Sequence, residues 1–254
     1  KDISVTTPVW EKINDNLENL AVGALAQDPK NPDIMYMGTG EVYGNLDAVR
    51  GVGIFKSVDG GVTWNLLPST RTNNFRYVQR LVFNPITNDL FAGTGTGLFR
   101  SQDGGNTWSV ALLSSRIYDM EWSPLGYLYV SSPTSIFRSP TGNPASFVNL
   151  STPANSGFLK NLTRVEFNIC KNFPNVIYAV GSVSGIASDV MKSSDGGVTW
   201  QVRGKTSSTG GDITNGQAWY DLTICVAPTD TNRVWVGGVP LGRSINGGLN
   251  FSNV

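Results

Sequence analysis

The side chains that could do chemistry here are carboxylates, arginines and aromatic rings, because the sequence has no histidine and only two cysteines. The lack of histidine excludes histidine-based catalytic triads and most zinc sites. Cys170 and Cys225 fall at different heights of neighbouring predicted strands, so we expect no disulfide bond between them. The sequence also shows no phosphate-binding loop and no metal-ligand spacing, and we expect no cofactor and no metal site.

Three loop-like segments, residues 39–51, 68–77 and 203–221, gather arginines and aromatic rings. Their candidate ligand-binding residues are Tyr43, Arg50, Arg71, Arg76, Trp219 and Tyr220. Aromatic rings beside acids and arginines suit contact with a sugar or a peptide, and long loops on a rigid scaffold often carry function. The predicted partner is a glycan or a protein ligand; the alternative is that these loops are solvated decoration.

A repeated unit must position these loops, because one short phrase occurs four times. The copies are residues 57–64, 101–108, 193–200 and the more divergent 244–251. Their third positions are separated by 44, 92 and 51 residues, and 92 is two units of 46. Residues 136–142 mark a further unit in the wide gap, without the acid and the tryptophan. A period of about 40–50 residues with four strands per unit is typical of a β-propeller blade.

The phrase itself, Ser-x-Asp-Gly-Gly-x-Thr-Trp, predicts a hairpin turn. Its acid can accept hydrogen bonds from turn amides, its glycines permit positive φ, and its tryptophan covers the turn. We therefore expect structural roles, and no ligand contact, for Asp59, Trp64, Asp103, Trp108, Asp195, Trp200 and Asn246.

These phrases resemble Asp-box repeats, also called BNR repeats. Similar boxes occur in sialidases, in xyloglucanase-type glycoside hydrolases, in sortilin-like receptors and in secreted bacterial surface proteins. The resemblance covers nearly the whole chain and implies a β-propeller. It is weak for function, because enzymes and binding proteins share the box.

The chain is accordingly predicted to be all-β, with about five blades of four antiparallel strands in a single propeller domain or part of one. The blades lie near residues 20–67, 78–112, 117–150, 162–202 and 220–254. Residues 8–13 look like an extra outer strand. Because the edge of an incomplete ring would be unpaired, we favour part of a larger ring over five closed blades with a spare strand.

Alignment of the predicted inner strands places Arg80, Asp119 and Arg164 in one column, on three successive units. The favoured interpretation is an inter-blade ladder of ion pairs that satisfies partly buried charge. The alternative is a channel site for an anionic or sugar ligand.

A hydrolase of the resembled families would need two facing acids. Residues 34–41 are similar to the first blade of the xyloglucanase type, but that family has an acid directly after the threonine, where this chain has Gly40. The Phe-Arg-Ile-Pro phrase of sialidases is absent. We lean against catalysis; if the chain is a hydrolase, Glu41 and Asp47 are the first candidates.

Composition indicates a secreted or cell-surface protein. Nineteen basic and nineteen acidic residues balance, which argues against nucleic acid as a partner, and no stretch is apolar enough to span a membrane. The segment with residues 38–41 and 51–57 resembles secreted bacterial surface proteins, including cargo of the type IX pathway. The predicted function is a non-catalytic binding or scaffolding propeller within a longer chain or larger assembly. The alternatives are a glycoside hydrolase and a sortilin-like peptide-binding propeller.

Overall fold

The structure is a computed structural model that describes residues 7, 17–19, 21–43, 45–112, 116–152, 156–206 and 212–254. The expected outer strand at residues 8–13 lies outside these ranges. The helices within them are single 3-10 turns, Pro68–Thr70, Asn73–Phe75 and Pro144–Ser146. None of the described helices could cross a bilayer.

Five antiparallel sheets follow one another along the chain, and the prediction of an all-β fold of four-stranded propeller blades is confirmed. The strands are, in blade 1, β1 (Val22–Gln27), β2 (Met35–Thr39), β3 (Ile54–Ser57) and β4 (Asn65–Leu66); in blade 2, β5 (Val78–Phe83), β6 (Leu90–Thr94), β7 (Gly97–Ser101) and β8 (Ser109–Leu112); in blade 3, β9 (Asp119–Trp122), β10 (Leu128–Ser131), β11 (Ile136–Ser139) and β12 (Val148–Asn149); in blade 4, β13 (Arg164–Ile169), β14 (Ile177–Val183), β15 (Ile186–Ala187), β16 (Met191–Ser193) and β17 (Gln201–Val202); and in blade 5, β18 (Thr223–Ala227), β19 (Asp230–Gly237), β20 (Leu241–Ser244) and β21 (Ser252–Asn253).

Two details differ from the sequence expectation. Blade 4 has a fifth strand, β15, which pairs with the end of β14. The second strand of blade 5 begins at Asp230, three residues before the run of strand-forming residues that starts at Arg233, because Ala227 pairs with Asp230 across a tight turn. Asp230, Thr231 and Asn232 have the composition of a turn, so sequence pattern alone does not assign them to a strand.

The core of the molecule lies between the blades. Successive strand residues point to opposite faces, so each blade has a forward face toward the following blade and a rear face toward the preceding one. Between blades 1 and 2, for example, Tyr36 and Ile54 of one forward face pack with Leu81, Leu90 and other residues of the next rear face. Three further clusters join blades 2 to 5 in the same way. Blades 2 to 4 pack on a neighbour on both faces, which explains why their second strands are almost continuously apolar.

The Asp-box turns connect the third and fourth strands. In the first box, the backbone N–H of Thr63 donates to Asp59 Oδ1 at 2.9 Å, the Thr63 hydroxyl donates to Asp59 Oδ2 at 2.6 Å, and Trp64 Nε1 donates to the Gly61 carbonyl at 2.9 Å. The Thr63 hydroxyl, followed by its backbone N–H, lowers the pKa of Asp59 to about 2. Gly60 and Gly61 have φ of 69° and 90°, a region that favours glycine.

The same bonds recur in the boxes at Asp103 and Asp195. In the fourth box Asn246 replaces the acid and still accepts the N–H of Asn250 at 3.1 Å. The box residues thus stabilise a turn through their own hydrogen bonds. The asparagine side-chain amide can replace the carboxylate, because the turn requires an acceptor oxygen for the backbone N–H and does not require a charge.

The inner strands β1, β5, β9, β13 and β18 pack in chain order, each against the next. Strands β18 and β1 do not pack on each other in this way. Loops between second and third strands, and those that enter each inner strand, lie together at the end opposite the Asp boxes. This end is called the loop face below.

Candidate functional site

A network of charges, buried at Arg164 and Glu166 and partly buried at Arg80 and Asp119, lies where the inner strands reach the loop face. Arg80 Nε donates to Asp119 Oδ1 at 3.0 Å, and Arg80 Nη2 donates to Glu166 Oε2 at 3.4 Å. Arg164 Nη2 contacts Glu166 Oε1 at 2.9 Å. Three consecutive blades therefore contribute to one chain of alternating charge, carried by β5, β9 and β13.

The structure changes one link in the expected ladder. Arg164 contacts Glu166, two positions further along its own strand, and Glu166 joins it to Arg80. Sequence reasoning missed Glu166 as a member of this network. The sequence does contain a signal for this contact, because Glu166 follows Arg164 by two positions in β13 and so lies on the same face of the strand.

Further contacts fix the guanidinium of Arg164. Its Nη2 donates to the Leu222 carbonyl at 2.8 Å, and its Nη1 donates to the Ala218 carbonyl at 3.4 Å. The rings of Tyr43 and Tyr118 lie 4.8 and 5.8 Å from the guanidinium carbon, within the range of cation–π attraction. Blades 1, 3, 4 and 5 thus meet around this one side chain.

The ionisation of Glu166 reflects two opposed effects. Burial, followed by the charge of Asp119, raises its pKa to about 7, whereas Arg164 and Arg80 act to lower it. Only 2% of its side chain is exposed. The network holds charge within the fold and presents a buried carboxyl, not an open one, to the channel.

An aromatic cluster covers this network on the loop face. The Tyr43 and Tyr220 ring centroids are 5.2 Å apart, and those of Tyr220 and Trp219 are 5.6 Å apart. The Tyr43 hydroxyl accepts a hydrogen bond from Gln79 Nε2 at 2.7 Å. Trp219 and Tyr220 remain 38% and 49% exposed. The long loops of blades 1 and 5 therefore bring their rings together over the channel.

The candidate arginines form a separate group. Arg71 and Arg76 line a cavity of about 260 Å³, with Glu18, Gly51, Val52, Thr72 and Asn73. Arg71 pairs with Glu18. Arg50 is exposed, and its carbonyl accepts a hydrogen bond from Asn19 Nδ2 at 2.7 Å. The structure thus places Arg71 and Arg76 together beside Gly51, next to Arg50 in the chain.

The two candidate catalytic acids do not share the environment of the buried network. Asp47 is exposed and Glu41 is half-buried, with its backbone N–H donating to the Val49 carbonyl at 3.0 Å. The acids brought together at the channel are Asp119 and Glu166, which Arg80 bridges. Glycoside hydrolysis requires a proton donor and a second carboxylate that face one scissile bond, and here the Arg80 guanidinium lies between the two acids.

No group of three or more potential metal-ligating side chains occurs in the described part of the chain. Cys170 is buried and Cys225 is exposed, and both are free thiols. The site therefore consists of an ion network, a ring cluster above it, and an arginine-lined cavity.

Sequence comparison identifies no matching family, and no curated protein matches the chain. Solved structures do match. A GH74 enzyme from Niastella koreensis is 22% identical, with a TM-score of 0.66 over 91% of this chain and 38% of its own. YCF48 from Cyanidioschyzon merolae is 16% identical, with a TM-score of 0.61 over 97% of this chain and 74% of its own.

A third match is the extracellular domain of the Bacteroides thetaiotaomicron protein BT3049, 16% identical, with a TM-score of 0.57 over 89% of this chain and 29% of its own. YCF48 is also solved with a bound D1 peptide. This chain spans less than half the length of the GH74 and BT3049 chains. In fold, the chain is an Asp-box β-propeller similar to xyloglucanase-like propellers.

Proposed function

We propose that this chain is a non-catalytic binding module whose ligand lies across the loop face. The observation that carries the proposal is the ring cluster of Tyr43, Trp219 and Tyr220, which remains partly exposed above a fixed network of charge. Exposed aromatic rings held by a rigid scaffold lose little conformational entropy on binding, which favours recognition.

The ligand is a glycan or a protein segment. Rings suit the apolar faces of sugars and the side chains of a peptide, and Arg76 in the separate arginine-lined cavity can bind a carboxylate of the ligand. The similar structures are compatible with both classes, since one is a GH74 enzyme and another, YCF48, is solved with a bound peptide. The charge network lies beneath the ring cluster and is proposed to hold the rings in place.

The test is a binding screen of the chain against a glycan array and a displayed peptide library, with the double variant Trp219→Ala, Tyr220→Ala. Loss of two stacking rings should weaken binding about tenfold or more. Ile86→Ala is the matched control, because Ile86 is 74% exposed on the turn between β5 and β6, at the Asp-box end. The proposal is wrong if no ligand binds, or if both variants lose binding equally.

Glycoside hydrolysis is the second candidate function. The specific observation in its favour is that Glu166, with its pKa raised to about 7, lies close to Asp119 through their shared contact with Arg80. A carboxyl group whose pKa is raised to about 7 can serve as the proton donor of a glycosidase. Release of reducing ends from xyloglucan by this chain, abolished in Glu166→Gln, would replace the binding proposal with this one.

The proposal includes a secreted or cell-surface location and a ring of more than five blades. The likeness to an extracellular domain supports the first. The second is supported by the weaker packing between β18 and β1 than between successive inner strands, and by the chain's coverage of only 74% of YCF48. Export by the type IX pathway stays a prediction from the sequence resemblance.

A further inference from the structure

The forward faces of the blades share one pair of side chains. An aromatic residue on the second strand lies directly opposite a basic residue on the third, and the backbone register makes the two Cα partners in every blade. The pairs are Tyr36 and Lys56, Phe91 and Arg100, Tyr129 and Arg138, Tyr178 and Lys192, and Trp235 and Arg243. We call each of them a forward pair.

In two junctions the forward pair binds the glycine turn of the next Asp box. The Tyr36 hydroxyl and Lys56 Nζ donate to the Gly104 carbonyl at 2.9 and 3.2 Å. The Tyr129 hydroxyl and Arg138 Nη1 donate to the Gly196 carbonyl at 3.0 and 3.2 Å. The shared acceptor is the first glycine of the Gly-Gly dipeptide.

The other two junctions keep the contact with altered chemistry. Phe91 packs so closely on Gly142 that a Cβ there would lie 2.4 Å from the ring. Tyr178 donates to the Thr231 carbonyl at 2.7 Å, and Arg203 Nε donates to the Gly247 carbonyl at 2.9 Å. In all four junctions the aromatic side chain is at most 2% exposed.

Trp235 and Arg243 repeat this geometry on the last blade without an occupant among the described residues. Trp235 is half-buried and Arg243 is exposed, and no described carbonyl accepts a hydrogen bond from the Arg243 guanidinium. Cys225, the Cα partner of Trp235, is exposed on the same face. The forward face of blade 5 thus carries the elements of the junction contact and lacks the turn.

The rear face of blade 1 is buried at Met37 and Phe55, which are 6% and 4% exposed, but it is open at Leu25 and at the first glycine turn. Leu25 is 58% exposed, whereas the matching Leu81, Met120, Val165 and Ile224 are at most 6% exposed. A Cβ added to Gly60 would meet only Asp33 Oδ1, at 3.8 Å, whereas one on Gly104 would meet Lys56 Nζ and the Tyr36 hydroxyl at 3.2 and 3.3 Å. The first glycine turn therefore has no forward pair on it in the described structure.

We propose that Trp235 and Arg243 form a docking site for the glycine turn of a further Asp-box blade, which belongs to the same polypeptide outside residues 1–254. This inference rests on the larger ring proposed above. The occupant follows from continuity with the four internal junctions, in each of which the forward-face aromatic residue contacts the turn of the next blade. A second copy of the chain could offer its Gly60 turn, but such a head-to-tail contact leaves a free face at each end, whereas an additional blade satisfies both faces at once.

The experiment uses Cys225 as a reporter, because Cys170 is buried. The polypeptide translated from the gene at its natural length is compared with residues 1–254 alone by reaction with Ellman's reagent. Since partial burial raises the pKa of the Cys225 thiol, the reaction is run at about pH 9. We expect the thiol to react about tenfold more slowly at natural length, and Trp235→Ala or Arg243→Ala to restore much of the reactivity.

Ile245→Ala is the matched control, because Ile245 is 70% exposed in the box of blade 5 and lies away from the forward pair. Equal reactivity in the two polypeptides overturns the proposal. Protection that grows with protein concentration, together with a doubled mass in sedimentation, assigns the face to a second copy and also overturns it. Ligand binding by a natural-length chain with a reactive Cys225 would leave the binding function standing and refute the docking site alone.

Discussion

The junction between blades 3 and 4 and the forward face of blade 5 are built from the same pattern with different surroundings. Tyr129 is 1% exposed and binds the next glycine turn, whereas Trp235, at the matching position, is half-buried. The comparison shows that the repeat specifies both halves of a contact in every blade. Whether the contact forms depends on which blade comes next.

The largest expected effect is the loss of the buried aromatic ring at the internal junction. Tyr129→Ala should lower the free energy of unfolding by about 3–5 kcal/mol, because it leaves a cavity and leaves Arg138 as the remaining donor to the Gly196 carbonyl. Trp235→Ala in residues 1–254 should cost less than about 2 kcal/mol, since its ring is already partly in water. Denaturant midpoints measure both. Equal losses would mean that the blade 5 face is packed as tightly as an internal junction.

The next prediction concerns the pH dependence of stability, and it compares the junction between blades 3 and 4 with the forward face of blade 5. Glu121 lies between blades 3 and 4 and accepts hydrogen bonds from Ile169 N and Asn168 Nδ2, both at 3.2 Å; the aligned residue on blade 5 is Cys225. Burial raises the pKa of Glu121 from 4.5 to about 7. A raised carboxyl pKa means that stability is fully present below about 4.5 and is lost as the pH rises through about 7.

Glu121→Gln should therefore reduce the fall in unfolding free energy between about pH 5 and pH 7.5, by an amount of order 2 kcal/mol. Denaturation at the two pH values, in parallel with the exposed-loop control Asp47→Asn, measures the difference. A pH dependence that Glu121→Gln leaves unchanged would assign the titration to another group.

The smallest expected effect is a difference between two glycines of the Asp boxes that have the same backbone strain but different packing. Gly197 and Gly61 have φ of 89° and 90°, so alanine should cost about 1–2 kcal/mol of strain at either position. A Cβ at Gly197 would lie 2.7 Å from Leu150 Cδ1, whereas one at Gly61 would lie 3.4 Å from Met35 Sδ. Gly197→Ala should be the more destabilising by about 1 kcal/mol. Thermal unfolding of the two variants checks this order, and a reversed order would contradict the assignment of free and covered turns.

Much of the fold could be predicted from the sequence, because its information is local. The hairpin at Asp59 is organised by hydrogen bonds within eight residues, and its period counts the blades. The candidate site was predicted less completely. Tyr43 and Tyr220 are far apart in the chain and meet only because their loops reach across the channel. Glu166 joined the network because side-chain reach, and not column alignment, selects an ion-pair partner.

The sequence by itself determined the strand order, the box turns and the alternation of forward and rear faces, because each depends on residues close in the chain. The tertiary structure alone decided that Arg164 is enclosed by four blades, that its partner is Glu166, that Trp235 is only half-buried, and that the Gly60 turn is open. Those properties arise from contacts between blades. Such contacts depend on how the blades are arranged around the propeller axis. The sequence of one repeat is the same whether or not another blade packs against it, so the sequence of that repeat does not determine the contact.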